Sequence, residues 1–269
     1  MADEQSGIVV STEADGLCRI TIDRQEVGNS LSPLARDALT AAFEDASTAT
    51  EVRAVLLGAS GLRHFCAGAG LPSDPSPRPA QRRPGDIAKM LQQGWQRLVG
   101  AVLDCDKPVV GAVSGTAAGA GTSLVLACDL VVMSDQARLV EPFVQRGILP
   151  DSGAIYLLTR IVGLRRATEL LMLGEPVDAA RCERLGLANR IVAPDAVHDT
   201  ALDLARQLAA GPTVMLSLTK RLLSVSSESS RDRAFEQEAW AQEVVSTTED
   251  LQEGLRAFAE RRRAEFKGY

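Results

Sequence analysis

The chain has 269 residues, a formal net charge of −6 at pH 7 and a hydrophobic fraction of 45%. This length supports one large core, or a core with an appendage. The acidic balance and the 4% aromatic content argue against a nucleic-acid-binding protein, which needs cationic and stacking side chains. Because no apolar run approaches the roughly 20 residues of a membrane span, we also expect no membrane partner.

The first half of the sequence alternates strand and helix patterns. In "GLCRITIDR" polar and apolar residues alternate, which predicts a strand with one buried face. A helix is predicted to follow in "NSLSPLARDALTAAFEDA", with Ser32 as its N-cap and Pro33 at its first position. Short apolar strands are predicted in "VRAVLLGAS", "KPVVGAVSG" and "CDLVVMS". The alternation, which continues to about Val192, indicates an α/β fold.

The five cysteines form no CxxC pair, and their number is odd. This pattern favours buried free thiols in a reducing compartment over a disulfide framework. The beginning of the chain, "MADEQSG", does not resemble a signal peptide. We therefore expect a cytoplasmic protein.

Two changes in composition divide the sequence. Leu71 to Asp86 is rich in proline, arginine and serine, which predicts a surface loop, and we expect residues 74–86 to form a lid near the site. From Pro194 onward the pattern is helical: Val197 to Leu208, Val214 to Val225, "RAFEQEAWAQEVV", and a last helix capped by Thr247 or Thr248. The predicted division is a core over residues 1–194 and a helical region over residues 195–269.

Two glycine-containing turns are the first candidates for a site. They are "HFCAGAGL", residues 64–71, and "SGTAAGAGTS", residues 114–123. Neither matches a GxGxxG or a Walker motif. They are either tight turns between a strand and a helix, or places where one free backbone N–H per turn points at a single ligand atom. Two such donors would form an oxyanion hole.

Several motifs, in order, resemble those of the enoyl-CoA hydratase/isomerase (crotonase) superfamily. They are "ITIDRQEVGNSLS", "FCAGAGL", "VSGTAAGAGTSLVLACDLVV" and "GILPDSGAIYLLTRIVGLRRATELLMLGEPVDAARCERLGLANRIV", and the resemblance extends from about Ile8 to Lys267. It implies an α/β fold of the crotonase type, a spiral of ββα units followed by a C-terminal helical trimerisation region. It also implies a homotrimer, or a hexamer built as a dimer of trimers.

The resemblance implies an acyl-CoA thioester as substrate. The thioester oxygen would be held by the backbone N–H groups of Ala69 and Ala120, next to Gly119 in the acyl pocket. The coenzyme A part would contact Ala67, Gly68, Leu71, Phe266 and Lys267. Coenzyme A is part of the substrate, so the resemblance implies no separate cofactor and no metal. Gly70 departs from the family pattern, because many relatives carry an aspartate there.

Both glutamates of the family's hydratases are missing. Ser123 and Phe143 stand at their positions, and we place both residues in the substrate pocket. Glu141 lies two positions before Phe143 and is not given the glutamate's role. Hydration needs a base to activate water and an acid to deliver a proton. These departures therefore make hydration by the usual family route doubtful.

Asp151 in "LPDSG" remains as the candidate catalytic carboxylate. Isomerases similar to the PaaG-like enzymes of phenylacetate degradation, dienoyl-CoA isomerases and aryl-CoA dehalogenases carry an aspartate at this position. From the residues alone, the N-cap of the following helix is the favoured role of Asp151. The resemblance favours a catalytic base that shifts a double bond through a dienolate, and both roles remain open at this stage.

Several other functions stay open. Asp151 could activate water in a hydratase, or form a covalent intermediate in a dehalogenase, lyase or hydrolase. The protein could also bind acyl-CoA without turnover. A serine hydrolase built on Ser123 and His64 is disfavoured, because "GTSLV" is not a nucleophile elbow. Isomerisation is the favoured prediction.

Overall fold

The protein is described by a computed structural model, which describes residues 5–70 and 83–269. Its strands are β1 (Ile8–Thr12), β2 (Leu17–Ile22), β3 (Ala54–Ala59), β4 (His64–Cys66), β5 (Val109–Val113), β6 (Thr116–Ala118), β7 (Leu130–Ser134), β8 (Arg138–Val140), β9 (Val177–Asp178) and β10 (Arg190–Val192). Its helices are α1 (Pro33–Thr48), α2 (Asp86–Met90), α3 (Gln96–Leu103), α4 (Ala120–Ala127), α5 (Ala154–Leu173), α6 (Ala179–Arg184), α7 (Val197–Ala209), α8 (Thr213–Ser226), α9 (Arg231–Ser246) and α10 (Glu249–Glu260).

The larger sheet has the strand order β1-β2-β3-β5-β7-β10. β1 and β2 form an antiparallel pair, and every following neighbour is parallel. Helices connect the parallel strands, because parallel neighbours need a crossover. The predicted strands are thereby confirmed, and β5 is buried along its whole length, as expected for a strand covered on both faces.

The smaller sheet, in the order β4-β6-β8-β9, positions the site. β4 and β6 are parallel neighbours, with Cys66 paired to Ala117, and β6 is parallel to β8, with Ala118 paired to Val140. Parallel neighbours end at the same edge of a sheet. The two glycine-containing turns, which follow β4 and β6, therefore meet at that edge.

Local capping follows the sequence. The Ser32 hydroxyl accepts a hydrogen bond from the Ala35 N–H at 3.2 Å, and Thr248 caps α10 by accepting from the Leu251 N–H at 3.2 Å. The predicted N-cap at Ser32 is confirmed, and of the two threonines proposed for the last helix the cap is Thr248. All five cysteines are free thiols, as predicted.

The C-terminal helices do not all leave the core. Val197, Ala201 and Ala205 of α7 are buried against Leu56 and Val110 of the larger sheet. The division between residues 1–194 and 195–269 thus stays a prediction, with α7 packed as part of the core. Residues 71–82 lie outside the described residues, so residues 74–82 of the expected lid over 74–86 are not described, and α2 begins at Asp86. Among the described helices, no segment is long and apolar enough to cross a membrane.

Candidate active site

The first turn presents the backbone N–H of Ala69. Ala69 and Leu31 form an isolated parallel bridge, in which the Leu31 N–H donates to the Gly68 carbonyl and the Gly70 N–H donates to the Leu31 carbonyl. In such a bridge the N–H of the central residue points away from its partner strand. The Ala69 N–H accordingly has no hydrogen-bond partner within the described part of the chain.

The second turn presents the backbone N–H of Ala120, the first residue of α4. The first N–H groups of a helix have no carbonyl one turn earlier, and they lie at the positive end of the helix dipole. The preceding residue, Gly119, has φ 53° and ψ −118° and provides no side-chain cap. This backbone leaves the Ala120 N–H available for a ligand oxygen.

Close packing holds the two turns together. A Cβ on Gly68 would lie 2.6 Å from the Ala118 carbonyl oxygen and 3.6 Å from the Ala120 nitrogen. A Cβ on Gly121 would overlap the carbonyl oxygen of Cys66. Glycines at these positions thus allow the backbones after β4 and β6 to approach until two N–H donors share one cleft.

The Asp151 carboxylate lies in the same cleft and is partly exposed. Its Oδ1 accepts a hydrogen bond of 2.9 Å from the Ser152 hydroxyl. The N-cap of α5 is Gly153, with no side-chain cap, and the Ala154 N–H donates instead to the backbone carbonyl of Asp151. The alternative role of Asp151 as a side-chain helix cap is therefore wrong, and its carboxylate is free to act in the cleft.

The rest of the cleft is mainly apolar. Besides the two turns, Trp95, Phe143 and Ile148 supply its apolar wall, and Arg146 stands with Asp151 as its charged lining. Phe143 is buried, and a Cβ on Gly119 would lie 3.7 Å from its Cζ atom. Among the described residues, Asp151 supplies the only carboxylate that lines this cleft.

The structure brings most of the predicted site residues together. Ala67, Gly68, Ala69, Gly119, Ala120, Phe143 and Asp151 line one cleft. Ser123 lies on α4, fully buried and outside this lining, and its hydroxyl has no hydrogen-bond partner in the described part of the chain. Leu71 lies outside the described residues.

Phe266 and Lys267 lie elsewhere in this chain. Phe266 lines a separate cavity formed with α8 and α10, and the ammonium group of Lys267 pairs with Glu249 at 3.3 Å. The structure does not bring these two residues to the cleft of the same chain. Their contact with coenzyme A stays a prediction.

Sequence reasoning gave no role to Ser152, which lines the cleft with Trp95, Pro142, Arg146 and Ile148, or to Glu141 beside it. Ser152 is fully buried, binds Asp151 and has φ 54°, an uncommon conformation for a residue other than glycine. Glu141 is only 5% exposed. The sequence offered one signal for Ser152, a hydroxyl residue next to the candidate base, and one for Glu141, a carboxyl residue close to a family glutamate position.

This arrangement combines two hydrogen-bond donors with one general base. Two convergent N–H groups stabilise negative charge that develops on a carbonyl oxygen, and the loss of one donor typically costs about 3 kcal/mol. A carboxylate beside them can remove a proton from a carbon next to that carbonyl. The cleft can thus form and stabilise an enolate.

Comparisons with known proteins agree with this chemistry. A family model described as enoyl-CoA hydratase/isomerase matches residues 12–269. The chain is 32% identical to 1,2-epoxyphenylacetyl-CoA isomerase of Escherichia coli (strain K12), over 97% of this chain and 98% of that protein. It is also 32% identical to a probable enoyl-CoA hydratase of Rhodobacter capsulatus, over 95% of this chain and 96% of that protein.

A solved structure of a relative has a closely similar fold. The crystal structure of a putative enoyl-CoA hydratase from Streptomyces coelicolor A3(2) matches with a TM-score of 0.92 and 32% identity, covering 100% of this chain and 97% of that chain. This match confirms the predicted crotonase-type fold, with its C-terminal helices.

Proposed function

The chain belongs to the enoyl-CoA hydratase/isomerase family, and we propose that within it this protein is an isomerase that shifts a double bond in an acyl-CoA thioester. The observation that carries the proposal is the lining of the cleft. There, among the described residues, Asp151 is the one carboxylate beside the two free N–H donors. One base is sufficient for isomerisation, whereas hydration needs a base and an acid.

In the proposed reaction the thioester oxygen accepts hydrogen bonds from the Ala69 and Ala120 N–H groups. The Asp151 carboxylate removes a proton from one carbon of a β,γ-unsaturated acyl chain, and the electron pair moves into a dienolate whose negative charge lies on that oxygen. The protonated Asp151 then returns a proton two carbons along the chain. Since only a proton and the double bond change place, this reaction requires no water, redox group or metal.

The residues at the positions of the hydratase glutamates support this choice. Phe143 gives the cleft an aromatic wall where a hydratase has a carboxylate, and Ser123 is buried outside the lining. Hydration is the second candidate, since a relative of equal identity is named a probable enoyl-CoA hydratase. A hydratase of this kind would activate water with Asp151.

The deciding experiment uses a β,γ-unsaturated acyl-CoA in deuterated water, with aliphatic and aryl-bearing acyl groups. We expect the wild-type protein to shift the double bond without adding water, as detected by mass spectrometry. Asp151→Asn should lose this activity, whereas Asp135→Asn, at an exposed aspartate outside the cleft, should retain it. A product that contains one added water would favour the hydratase. No product from any acyl chain would contradict both candidates.

The C-terminal helices support a homo-oligomer as part of the proposal. Trp240 on α9 and Phe258 on α10 are 68% and 86% exposed in the isolated chain. Large exposed apolar side chains on neighbouring helices are typical of subunit contacts. We therefore propose that copies of this chain assemble through α9 and α10 into a trimer or a hexamer.

A further inference from the structure

Glu141 is a buried carboxyl group that the proposed reaction does not use. It directly follows β8, at the edge where the two glycine-containing turns meet. It is 5% exposed, and neither of its carboxyl oxygens has a hydrogen-bond partner among the described residues. A buried carboxylate without donors costs several kcal/mol, so this environment favours the neutral acid.

The surroundings of Glu141 connect it to the cleft. The Val140 carbonyl, one residue earlier, accepts hydrogen bonds from the Gly119 N–H at 2.9 Å and from the Thr122 hydroxyl at 3.0 Å. Pro142 and Phe143, which follow it, line the cleft. The backbone of Glu141 therefore joins the residue that binds the second turn to the residues of the apolar wall.

Of the charged groups on the neighbouring segments, Asp151 is the one that acts on the Glu141 carboxyl group. Asp151 precedes α5, Arg146 lies on a short 3₁₀ turn at the cleft, and Glu175 is exposed beyond the end of α5. The neighbouring helix α4 contacts the Val140 carbonyl through Thr122, which carries no charge. Burial raises the pKa of Glu141 well above its ordinary value, and repulsion by the Asp151 carboxylate raises it further.

The environments of the two carboxyl groups differ in a way that separates their roles. Asp151 is partly exposed, and its carboxylate accepts a hydrogen bond from the Ser152 hydroxyl. Glu141 is only 5% exposed and finds no hydrogen-bond donor among the described residues. Two nearby carboxyl groups whose environments differ in this way divide into one base and one neutral acid.

We propose that Glu141 is a positioning residue of the acid–base centre. Glu141 stays a neutral carboxylic acid while Asp151 acts as the base, and the ionisation of Glu141 sets the alkaline limit of activity. The proposal rests on the proposed isomerase function. Glu141 would act through the charge and the packing of the cleft and would not contact the substrate.

The physical reason is the charge that the reaction creates. Removal of a proton by Asp151 transfers one negative charge to the enolate oxygen, at the donors beside Glu141. A second negative charge on Glu141 would repel this enolate, and the ionised group would also need water or donors that its packing lacks. The segment that carries Phe143 would then have to move, and the wall of the cleft would open.

The first test compares the pH dependence of kcat in three proteins. Above the pKa of Glu141, we expect the wild-type rate to fall by up to about tenfold per pH unit, as for a single ionisation. Glu141→Gln, which has the shape of the neutral acid, should retain the rate at neutral pH within about threefold and lose the alkaline decline. Glu175→Gln, at an exposed glutamate in the neighbouring segment, should keep the wild-type profile. A wild-type alkaline decline in Glu141→Gln would overturn the proposal.

The second test does not depend on turnover. Carboxyl carbons of ¹³C-labelled glutamate are titrated by NMR in the wild-type protein and in Asp151→Asn. One glutamate should titrate far above the others in the wild type, and its pKa should fall in Asp151→Asn because the repulsion is removed. If no glutamate behaves in this way, the proposal is wrong, whether or not the isomerase activity is found. If the titration is as expected but no double bond shifts, the coupling stands and the isomerase function fails.

Discussion

The hydroxyl of Ser152 donates a hydrogen bond of 2.9 Å to Oδ1 of Asp151 from a backbone with φ 54°. A residue other than glycine in this region typically costs about 1–2 kcal/mol. The residue with this unfavourable conformation, Ser152, directly follows the candidate base. Such strain is characteristic of sites where a side chain must be held in one orientation.

Two substitutions of Ser152 separate the hydrogen bond from the strain. Ser152→Ala and Ser152→Gly both remove the hydroxyl, so we expect both to lower kcat by a similar factor, about tenfold for the loss of about 1.4 kcal/mol. Glycine tolerates the positive φ, so Ser152→Gly should exceed Ser152→Ala in free energy of unfolding by about 1 kcal/mol. Steady-state kinetics and denaturant unfolding check the two effects. Full activity in either variant would exclude a positioning role for the hydroxyl.

The proposed oxyanion donor of α4 can be removed without removing a side chain. Proline lacks an N–H and is tolerated at the first position of a helix, so Ala120→Pro deletes the donor at the first residue of α4. We expect kcat to fall by about 10²–10³-fold, as for the loss of one oxyanion donor. Glu249→Pro, at the exposed first position of α10, is the matched control and should retain activity. Circular dichroism verifies that both variants fold.

Close approach of the two glycine-containing turns predicts opposite effects for two glycine substitutions in helices. Gly121→Ala would place a Cβ on the Cys66 carbonyl oxygen, so it should destabilise the protein by about 2–3 kcal/mol and lower activity by moving the turns apart. Gly100→Ala in α3 meets only ordinary contacts and should stabilise by up to about 1 kcal/mol. Thermal or denaturant unfolding measures both. Equal effects of the two substitutions on the free energy of unfolding would show that a Cβ at position 121 does not disturb the backbone at Cys66.

The sequence was sufficient to predict the strands, the helices and the two glycine-containing turns, because the residue patterns that indicate them are local. Ser32 and Thr248 act as caps through contacts within one helical turn, and apolar runs identify the buried strands β3, β5 and β7. From the residues alone, pairing the two turns as one oxyanion hole was one of two open interpretations, since their contact depends on the register of β4 with β6.

The remaining features depend on long-range packing. That Gly153 rather than Asp151 caps α5 follows from the backbone conformation at Ser152 and Gly153, which sequence spacing does not specify. Glu141 stands two positions from a family glutamate, and only the fold shows that it is buried and acted on by Asp151. Phe266 and Lys267 lie outside the cleft because the C-terminal segment packs on α8 and α10 of its own chain.

Assembly through the C-terminal helices predicts sensitivity at Phe258. The ring is 86% exposed in the isolated chain, so an aspartate there should cost little stability in the monomer but should place a charge inside an apolar subunit contact. We expect Phe258→Asp to lower the oligomer mass in analytical ultracentrifugation. Leu62→Asp, at a 61% exposed leucine outside these helices, should leave the mass unchanged. An unaltered mass in Phe258→Asp would argue against this surface as the contact.

Glu141 also makes the stability of the protein depend on pH in a definite direction. Below its pKa in the unfolded chain, about 4.3, the group is protonated in both states and contributes no slope. Because burial and the Asp151 carboxylate raise the folded-state pKa, the folded protein holds one proton more than the unfolded chain between the two values. Within that window the contribution of Glu141 to the free energy of unfolding falls by about 1.4 kcal/mol per pH unit, and the slope ends above the folded-state pKa.

Glu141→Gln removes this contribution, since glutamine does not titrate. The stability of the variant relative to the wild type should therefore rise as the pH increases from about 4.3 toward neutrality. Chemical unfolding at a series of pH values measures the difference, and Glu175→Gln provides the exposed control, whose difference from the wild type should stay nearly constant. A constant difference for Glu141→Gln as well would mean that the buried carboxyl ionises normally, through water or a rearrangement that supplies donors. Glu141 could then not stay neutral while Asp151 acts as the base.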